Sequence, residues 1–219
     1  MFIAASTDNL TVVDEWARPD ASVLERYAGI PAANVGDVLG RMTVMDGGIR
    51  LMTGNDRLLG FALPVDVRSG DNLAIHRAMD HAQPGDVLVV NGHGDPTRAL
   101  IGDLMGEIMI SAGVRGAVLD GAVRDVAALS RQGLTVYARA ATPAGPFKNG
   151  PGSVGLPVAA GGVVVHPGDL LVGDADGVVV VPRAQIDAVA GNVGAILQSE
   201  EDLRARILGA RPAETEAAR

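Results

Sequence analysis

Residues 86–132 decide the fold, and they read "DVLVVNGHGDPTRALIGDLMGEIMISAGVRGAVLDGAVRDVAALSRQ". Two short apolar runs in this stretch, 86–91 and 115–120, are typical of buried strands. The first run is followed by the loop "GHGDPT" and then by helical spacing over residues 98–113. The second run is followed by helical spacing up to about residue 132. This β-α-β-α order predicts adjacent parallel strands at the core of an α/β domain.

The rest of the chain adds helices and short strands to this core. Spacing predicts helices over 20–28, 31–42, 72–82 and 184–208, and a strand over 58–68. Residues 162–183 consist of short β segments joined by Pro-Gly and Asp-Gly turns, which indicates an added antiparallel layer. We therefore predict a single α/β domain over residues 1–208, with a parallel βαβα core and an antiparallel β layer. The tail, 209–219, is predicted to be disordered.

Charge and composition limit the classes of function. The 219 residues carry a net charge of −8, which disfavours nucleic-acid binding because phosphate recognition requires a basic patch. The chain has no cysteine, which excludes disulfides and cysteine-zinc sites. Residues 1–10 lack the basic start of a signal peptide, and no apolar run is long enough for a membrane helix. We expect a cytoplasmic protein that binds a small molecule, with no nucleic-acid or membrane partner.

An arginine and an aspartate, Arg124 and Asp125, stand side by side where the second strand gives way to a helix. One interpretation is structural: Asp125 caps the helix and Arg124 is solvated. The other interpretation is functional, because ligands of parallel sheets bind at the carboxyl ends of the strands. The loops after 86–91 and 115–120 meet at that edge. The dipeptide alone leaves both interpretations open.

Other residues at that edge favour a site for a small 2-oxo acid. The turn 102–105 offers free amides to a carboxylate, and Gly102 allows the ligand to approach. Arg124 can clamp the same carboxylate with two hydrogen bonds. Asp103 and Asp125 are hard oxygen ligands suited to Mg²⁺ or Mn²⁺. Together these residues predict a 2-oxo acid chelated to a divalent cation.

Lys148 is the only lysine of the chain, so it is the only candidate for a Schiff base. It lies in the Pro/Gly-rich segment 141–153, which we interpret as a flexible loop. A nucleophilic lysine needs a desolvated position or a neighbouring cation, so lysine-based covalent catalysis is disfavoured. His76 and His81 are five residues apart on a predicted helix, on different sides of it, which disfavours a shared metal.

Five segments resemble the family of 4-hydroxy-4-methyl-2-oxoglutarate aldolases, which shares its fold with the regulators of ribonuclease E activity (RraA-like proteins). The segments are "GDNLAIHRAM", "PGDVLVVNG", "RALIGDLM", "GVRGAVLDGAVRDV" and "VHPGDLLVGDADGVVVVPR". The resemblance covers about residues 30–183. It implies a swivelling β/β/α-type fold and ring trimers that often pair into hexamers. It also implies a divalent-metal-dependent pyruvate aldolase that decarboxylates oxaloacetate.

The resemblance assigns roles to individual residues. Arg124 would bind the pyruvate carboxylate together with the backbone amides of Leu104 and Met105. Asp125 would be the direct metal ligand, and Asp103 would hold metal-bound water. Retro-aldol cleavage and oxaloacetate decarboxylation leave the same pyruvate enolate, so one such site would serve both reactions.

Acidic residues outside this core complete the family's site. Asp37 in the early helix and Glu200 in the C-terminal region of a neighbouring subunit are the nearest matches, and they would act on the metal through water. Glu201 is an alternative to Glu200. The apolar segment 155–165 also indicates a neighbour, because exposed apolar patches mark interfaces. We therefore expect a cyclic homo-oligomer, a trimer or a hexamer, with the site at a subunit boundary.

A non-catalytic regulator that binds a ribonuclease or another protein is the alternative function. The loop 91–97 is closer to the "DGGG" loop of the regulators, which favours that alternative. The regulators lack an acid directly after the arginine, so the presence of Asp125 favours the enzyme. Some members of the family carry a methyltransferase name, but this sequence has no glycine-rich adenosylmethionine loop.

Overall fold

The structure is a computed structural model that describes residues 8–54 and 57–209. Within these ranges the strands are β1 (Leu10–Val12), β2 (Arg50–Leu51), β3 (Leu58–Val67), β4 (Asp86–Ile101), β5 (Gly116–Val123), β6 (Thr135–Ala141), β7 (Gly152–Val154), β8 (Val158–Ala160), β9 (Val163–Val165), β10 (Leu170–Asp174) and β11 (Gly177–Val181). The helices are α1 (Val23–Tyr27), α2 (Ala32–Val38), α3 (Leu73–Ala78), α4 (Asp103–Ser111), α5 (Val126–Gln132) and α6 (Ile186–Gly209). The tail predicted to be disordered lies, after Gly209, outside the described residues.

Four strands form the parallel centre of the sheet. β3 pairs with β4, β4 with β5, and β5 with β6, all in parallel. Helices α3, α4 and α5 connect these strands in turn, which confirms the predicted β-α-β-α order and extends it by a strand at each end. β10 and β7 lie antiparallel along β3, β11 pairs with β10, and β8 and β9 form a separate antiparallel pair. The predicted α/β domain with an added antiparallel layer is therefore confirmed.

The central strands are buried on both faces. In β4, Leu88 and Val90 pack on one face of the sheet, and Val87 and Val89 pack on the other. Helices α3, α4 and α5 cover the first face, and the β8–β9 pair covers the second. Strands covered on both faces have continuous apolar runs rather than alternating ones. This explains why the apolar run 86–91 predicts a buried strand so clearly.

The helix predicted over 98–113 begins later than its spacing indicates. The register between β4 and β5 shifts over residues 92–98 of β4. The end of β4 then pairs with β5 again, and α4 starts only at Asp103. Leu100 and Ile101 are 1% and 2% exposed because they pack into the core as strand residues. Leu100 and Ile101 lie four residues before Leu104 and Met105 of α4, so their spacing is the same as that of a first helical turn.

The buried face of α4 also differs from the predicted one. Leu100, Leu104, Ile108 and Ala112 recur every four residues, a spacing that predicts a wide apolar face including Leu104. In the structure Leu104 is 66% exposed. Met105 and Met109 form the buried face instead, packed on the central sheet. Leu104 stays at the surface because it lies in the first turn, at the wall of the cavity described below.

Other boundaries differ by a few residues from the predicted ones. β5 continues three residues beyond the predicted 115–120, so Arg124 directly follows the strand. The sequence patterns assign no element to β6, which completes the parallel centre. α3 ends at Ala78, so His76 and His81 do not share a helix. In the described ranges, no helix combines the length and the apolar character needed to cross a membrane.

The apolar segment 155–165 is covered largely within the chain. Val158, Val163 and Val165 are at most 7% exposed and pack against the sheet, whereas Val164 is 59% exposed. Alternate side chains of the β8–β9 pair point inward, while Leu156 and Val164 remain exposed. The expectation that a neighbouring subunit covers this segment therefore stays a prediction.

Candidate active site

Arg124 and Asp125 lie at the carboxyl end of β5. Asp125 precedes α5, but its side chain makes no cap hydrogen bond. Its backbone is left-handed (φ 55°, ψ 34°), a conformation that Asp and Asn adopt more readily than most residues. Asp125 Oδ2 lies 3.2 Å from Arg124 Nε and accepts a hydrogen bond from the backbone N of Asp103 at 3.3 Å. The capping interpretation is therefore wrong, and the carboxylate faces the start of α4.

Gly102 provides the space in which these side chains meet. Its backbone is extended (φ −149°), a conformation open to any residue. A Cβ at this position would lie 2.5 Å from Asp125 Oδ2 and 2.8 Å from Arg124 Nε. Both distances are too short for van der Waals contact, so a side chain at this position would displace Asp125 and Arg124, although the backbone conformation would accept one.

The first amides of α4 are divided between the two carboxylates and the cavity. The Asp103 amide donates to Asp125, and the Leu104 amide donates to Asp103 Oδ1 at 2.8 Å. No hydrogen bond from the Met105 amide is seen within residues 8–54 and 57–209. Of the two amides that the resemblance assigns to the substrate, only that of Met105 is open to a ligand in this arrangement.

A cavity of about 220 Å³ opens beside this edge of the sheet. It is lined by Asn72, His76, Leu100, Ile101, Gly102, Leu104, Met105, Ile108, Arg124, Pro146 and Lys148. These lining residues include two cations, Arg124 and Lys148, and no carboxylate. In a chain with a net charge of −8, a cavity with this lining indicates an anionic ligand.

Two polar side chains in the cavity wall are buried without a partner. His76 is 8% exposed and Asn72 is 5% exposed. His76 Nδ1 and Asn72 Oδ1 have no hydrogen-bond partner in the described part of the chain. Burial, followed by the charge of Lys148, lowers the pKa of His76 to about 4, so the imidazole is neutral at pH 7. Because buried polar atoms are almost always hydrogen-bonded, these two atoms indicate a ligand or water in the cavity.

Lys148 lies in a segment that is anchored on both sides. The Phe147 amide donates to the carbonyl of Gly70 at 2.8 Å, and the Asn149 amide donates to Asp71 Oδ2 at 2.7 Å. The interpretation of this segment as a flexible loop is therefore wrong. The sequence patterns did not identify Lys148 or His76 as cavity residues. The only lysine of an acidic chain is a signal that could have indicated an anion-binding role for Lys148.

Asp103 and Asp125 are the acidic groups at this edge that fit a divalent cation. Both side chains are partly exposed at the start of α4. Mg²⁺ is commonly held by one or two carboxylates and keeps several waters, which this pair can satisfy. Among residues 8–54 and 57–209, no group of three or more His, Cys, Asp or Glu is placed to hold a metal. A cation here would therefore rely on waters and on ligand oxygens for the rest of its coordination.

Asp37 and Glu200 belong to α2 and α6, which pack on each other. Asp37 Oδ1 pairs with Arg41 at 2.7 Å, and Glu200 Oε1 accepts a hydrogen bond from Asn34 Nδ2 at 2.8 Å. Neither carboxylate lines the cavity. A single chain does not bring Asp37 or Glu200 to the cavity, and the role of Glu200 in a neighbouring subunit's site stays a prediction.

The comparison with known proteins agrees with this geometry. A family model described as "RraA-like: Aldolase/RraA" matches residues 25–180, a range that includes the strand ends, the start of α4 and the Arg124–Asp125 pair. The chain belongs to the RraA-like family. A member from Halalkalibacterium halodurans, provisionally named 4-hydroxy-4-methyl-2-oxoglutarate aldolase, is 39% identical over 173 residues, which are 79% of this chain and 82% of that protein.

Solved structures of this fold carry several functional names. An uncharacterised protein from Pseudomonas syringae pv. tomato matches with a TM-score of 0.81 and 25% identity, covering 90% of this chain and 93% of that one. Streptomyces coelicolor RraAS2, described as an unusual member of the RNase ES inhibitor RraA family, has a TM-score of 0.79 and 28% identity, covering 87% and 99%. A Geobacillus kaustophilus structure named as a 2-dimethylmenaquinone methyltransferase has a TM-score of 0.65 and 31% identity, covering 69% and 94%. The fold therefore does not by itself determine the activity of this RraA-like chain.

Proposed function

We propose that this RraA-like protein is a divalent-metal-dependent pyruvate aldolase. It cleaves 4-hydroxy-2-oxo acids of the 4-hydroxy-4-methyl-2-oxoglutarate type to release pyruvate, and it also decarboxylates oxaloacetate. The proposal rests on one observation: Arg124, Asp125 and the start of α4 meet beside a cavity with a cationic lining. Relatives provisionally named as aldolases support it.

Arg124 binds the carboxylate of the 2-oxo acid in this proposal. Asp125 holds Arg124 at Nε, which leaves the terminal nitrogens for a two-point contact with a carboxylate. Nearby Gly145 has no side chain, and a Cβ there would come within 3.0 Å of Arg124 Nη1. The Met105 amide and the positive end of α4 add further attraction for the anion.

Asp125 and Asp103 would hold the cation, Asp125 directly and Asp103 through water, as the family resemblance implies. When bound, Mg²⁺ or Mn²⁺ supplies Lewis-acid stabilisation of the negative charge that develops on the 2-oxo oxygen. The contact of Asp125 with the Asp103 amide and the contact of Asp103 with the Leu104 amide fix both carboxylates at the same helix end. This preorganisation lowers the cost of assembling the site around each substrate.

Cleavage breaks the C3–C4 bond of the 4-hydroxy-2-oxo acid. The electron pair stays with the three-carbon fragment as the pyruvate enolate, the C4 hydroxyl loses its proton, and C4 becomes a carbonyl carbon. The enolate then takes a proton at C3 to give pyruvate. Oxaloacetate reaches the same enolate by losing CO₂, so the residues that stabilise one reaction also stabilise the other.

The test is pyruvate release from oxaloacetate and from 4-hydroxy-4-methyl-2-oxoglutarate, followed with a coupled dehydrogenase assay. With Mg²⁺ or Mn²⁺ we expect turnover well above the rate of the metal alone. A chelator should abolish it, and an excess of the same metal should restore it. If the purified protein turns over neither compound with either metal, the aldolase proposal is wrong.

A non-catalytic regulator is the second candidate, because two structural relatives are named as inhibitors of RNA processing. They are the S. coelicolor protein described above and RraA from Thermus thermophilis, which is 29% identical with a TM-score of 0.64. A cationic cavity with two carboxylates beside it is a site for a small molecule rather than a protein, so the geometry favours the enzyme. Inhibition of a ribonuclease by a protein without turnover would favour the regulator.

A further inference from the structure

The cavity contains one more cation than a monocarboxylic 2-oxo acid requires. Arg124 is paired with Asp125 and belongs to the end of β5. Lys148 comes from the loop between β6 and β7, and no ion pair or hydrogen bond joins its ammonium to any residue in the described ranges. A second cation in the wall of a cavity whose lining has no carboxylate is suited to a second negative charge on the ligand.

The backbone around Lys148 is held in place by contacts of its neighbours, although Lys148 itself is exposed. Besides the two backbone bonds that anchor its neighbours, the ring of Phe147 lies 4.2 Å from the guanidinium carbon of Arg98, a cation–π distance. The backbone amide of Asn72, a cavity residue, also donates to the Phe147 carbonyl at 2.9 Å. A loop fixed in this way reduces the entropy that Lys148 would lose on binding a ligand.

The polar atoms near Lys148 complement an acid with a hydroxyl group. Asn72 Nδ2 donates to the Leu100 carbonyl at 3.0 Å, which fixes Asn72 Oδ1 as an unpartnered acceptor suited to a hydroxyl. His76 is neutral at pH 7 and has an unpartnered, buried Nδ1. A neutral imidazole can donate one hydrogen bond to a carboxylate without a second buried charge.

We infer that Lys148 is a specificity-determining residue that binds the carboxylate at the far end of the substrate, with His76 as a hydrogen-bonding partner. The inference rests on the proposed function, in which Arg124 holds the 2-oxo acid end. A substrate with carboxylates at both ends would then satisfy both cations of the cavity. The apolar residues Leu104 and Ile108 line the same cavity and suit the carbon chain.

Two uncleavable ligands of equal length test this inference by binding alone. 2-Oxoglutarate and 2-oxopentanoate have the same five-carbon chain and differ in a terminal carboxylate or methyl group. Neither has the 4-hydroxyl group that retro-aldol cleavage requires. Calorimetry with Mg²⁺ present should show wild-type protein binding 2-oxoglutarate about 10- to 100-fold more tightly, the effect expected of a hydrogen bond to a charged group.

Substitution of Lys148 should remove that preference. In Lys148→Met the ratio of the two affinities should fall close to one, and Lys148→Arg should restore most of it. Arg115→Met is the matched control: it removes one positive charge at the opposite end of β5, from a residue that does not line the cavity, and should keep the wild-type ratio. If Lys148→Met keeps the preference, or if wild type has none, the inference is wrong.

The experiments distinguish failure of this inference from failure of the proposed function. A Lys148-dependent preference in a protein that cleaves nothing would support the carboxylate subsite and contradict the aldolase proposal. Metal-dependent pyruvate release in a protein without the preference would support the aldolase and overturn the subsite.

Discussion

At the scale of single residues, Asp125 combines a left-handed backbone with a charged contact. A non-glycine residue in this conformation costs about 1 kcal/mol, less for Asp and Asn. The side chain gains no cap hydrogen bond in return and instead faces Arg124 and the start of α4. Backbone strain of this kind persists only where the surrounding structure holds it in place, and it is concentrated at functional sites.

The first prediction concerns Gly102→Ala. The new methyl group would overlap Asp125 Oδ2 and Arg124 Nε, the mobile parts of two side chains, while the backbone can accept alanine. We expect the unfolding temperature to stay within about 2 °C of wild type. Pyruvate release should fall about 100-fold, since small misplacements of catalytic groups carry costs of that size.

The matched control for Gly102→Ala is Gly191→Ala in α6, where an added Cβ meets no atom within 4 Å. That variant should be fully active and slightly more stable, because alanine favours helix. A fully active Gly102→Ala protein would show that the approach of Arg124 and Asp125 to Gly102 has no part in catalysis.

The second prediction concerns Lys148 as a nucleophile. The structure places it at the cavity, but its side chain is exposed and so lacks the desolvation that activates a Schiff-base lysine. Borohydride reduction in the presence of pyruvate should therefore leave the protein mass unchanged. An adduct on Lys148, detected by mass spectrometry, would overturn the metal-dependent mechanism.

At the scale of elements, the sequence predicts a strand or helix correctly where its apolar pattern fits only one kind of element. The runs 86–91 and 115–120 are correct because both faces of those strands are apolar. The start of α4 is misplaced because Leu100 and Ile101 satisfy helical spacing and strand burial equally. Only pairing of β4 with β5, a contact between distant parts of the chain, decides between them.

The third prediction concerns the end of α6. Deleting residues 196–219 keeps the buried residues Ile186, Val189 and Val193, and it removes the Asn34–Glu200 hydrogen bond and the partly buried Leu197. The hydrogen bond alone, worth about 1 kcal/mol, corresponds to about 2–4 °C in unfolding temperature for a chain of this size, and the loss of Leu197 packing adds to it. Activity should fall at least about tenfold if the helix end completes a neighbour's site, in line with the loss of a group around a metal.

Glu200→Gln and Glu201→Gln, made separately, identify which carboxylate accounts for that loss. The affected variant should lose activity with an unchanged unfolding temperature. Full activity in the truncated protein would exclude both glutamates from the site.

At the scale of the whole molecule, the sequence predicts which edge of the sheet carries the site, but it does not predict all residues of the site. Arg124, Asp125 and Asp103 are readable because they follow strands or begin a helix. His76 and Lys148 are far from them in sequence and reach the cavity only through the packing of α3 and the anchoring of the β6–β7 loop. Sequence spacing contains no information about such contacts.

The fourth prediction concerns assembly. The last part of α6 is exposed and carries Leu203 and Ile207, each more than half exposed and one helical turn apart. Such a stripe on an otherwise solvated helix is typical of an interface. Light scattering should give about 67 kDa or about 134 kDa, three or six times the 22.4 kDa chain. A fully active species near 22 kDa would contradict a site shared between subunits.

The most direct test of the central claim is pyruvate release by Asp125→Asn at saturating Mg²⁺. Asparagine accepts the left-handed backbone and loses no cap bond, so the unfolding temperature should stay within about 2 °C of wild type. Asp176→Asn, the same change at the exposed β10–β11 turn, serves as the control and should be fully active. We predict a loss of about 100-fold or more for Asp125→Asn, since even residues that only support a metal's ligands contribute up to that factor. Near-wild-type turnover in Asp125→Asn would contradict the assignment of this carboxylate to the metal, and with it the proposed mechanism.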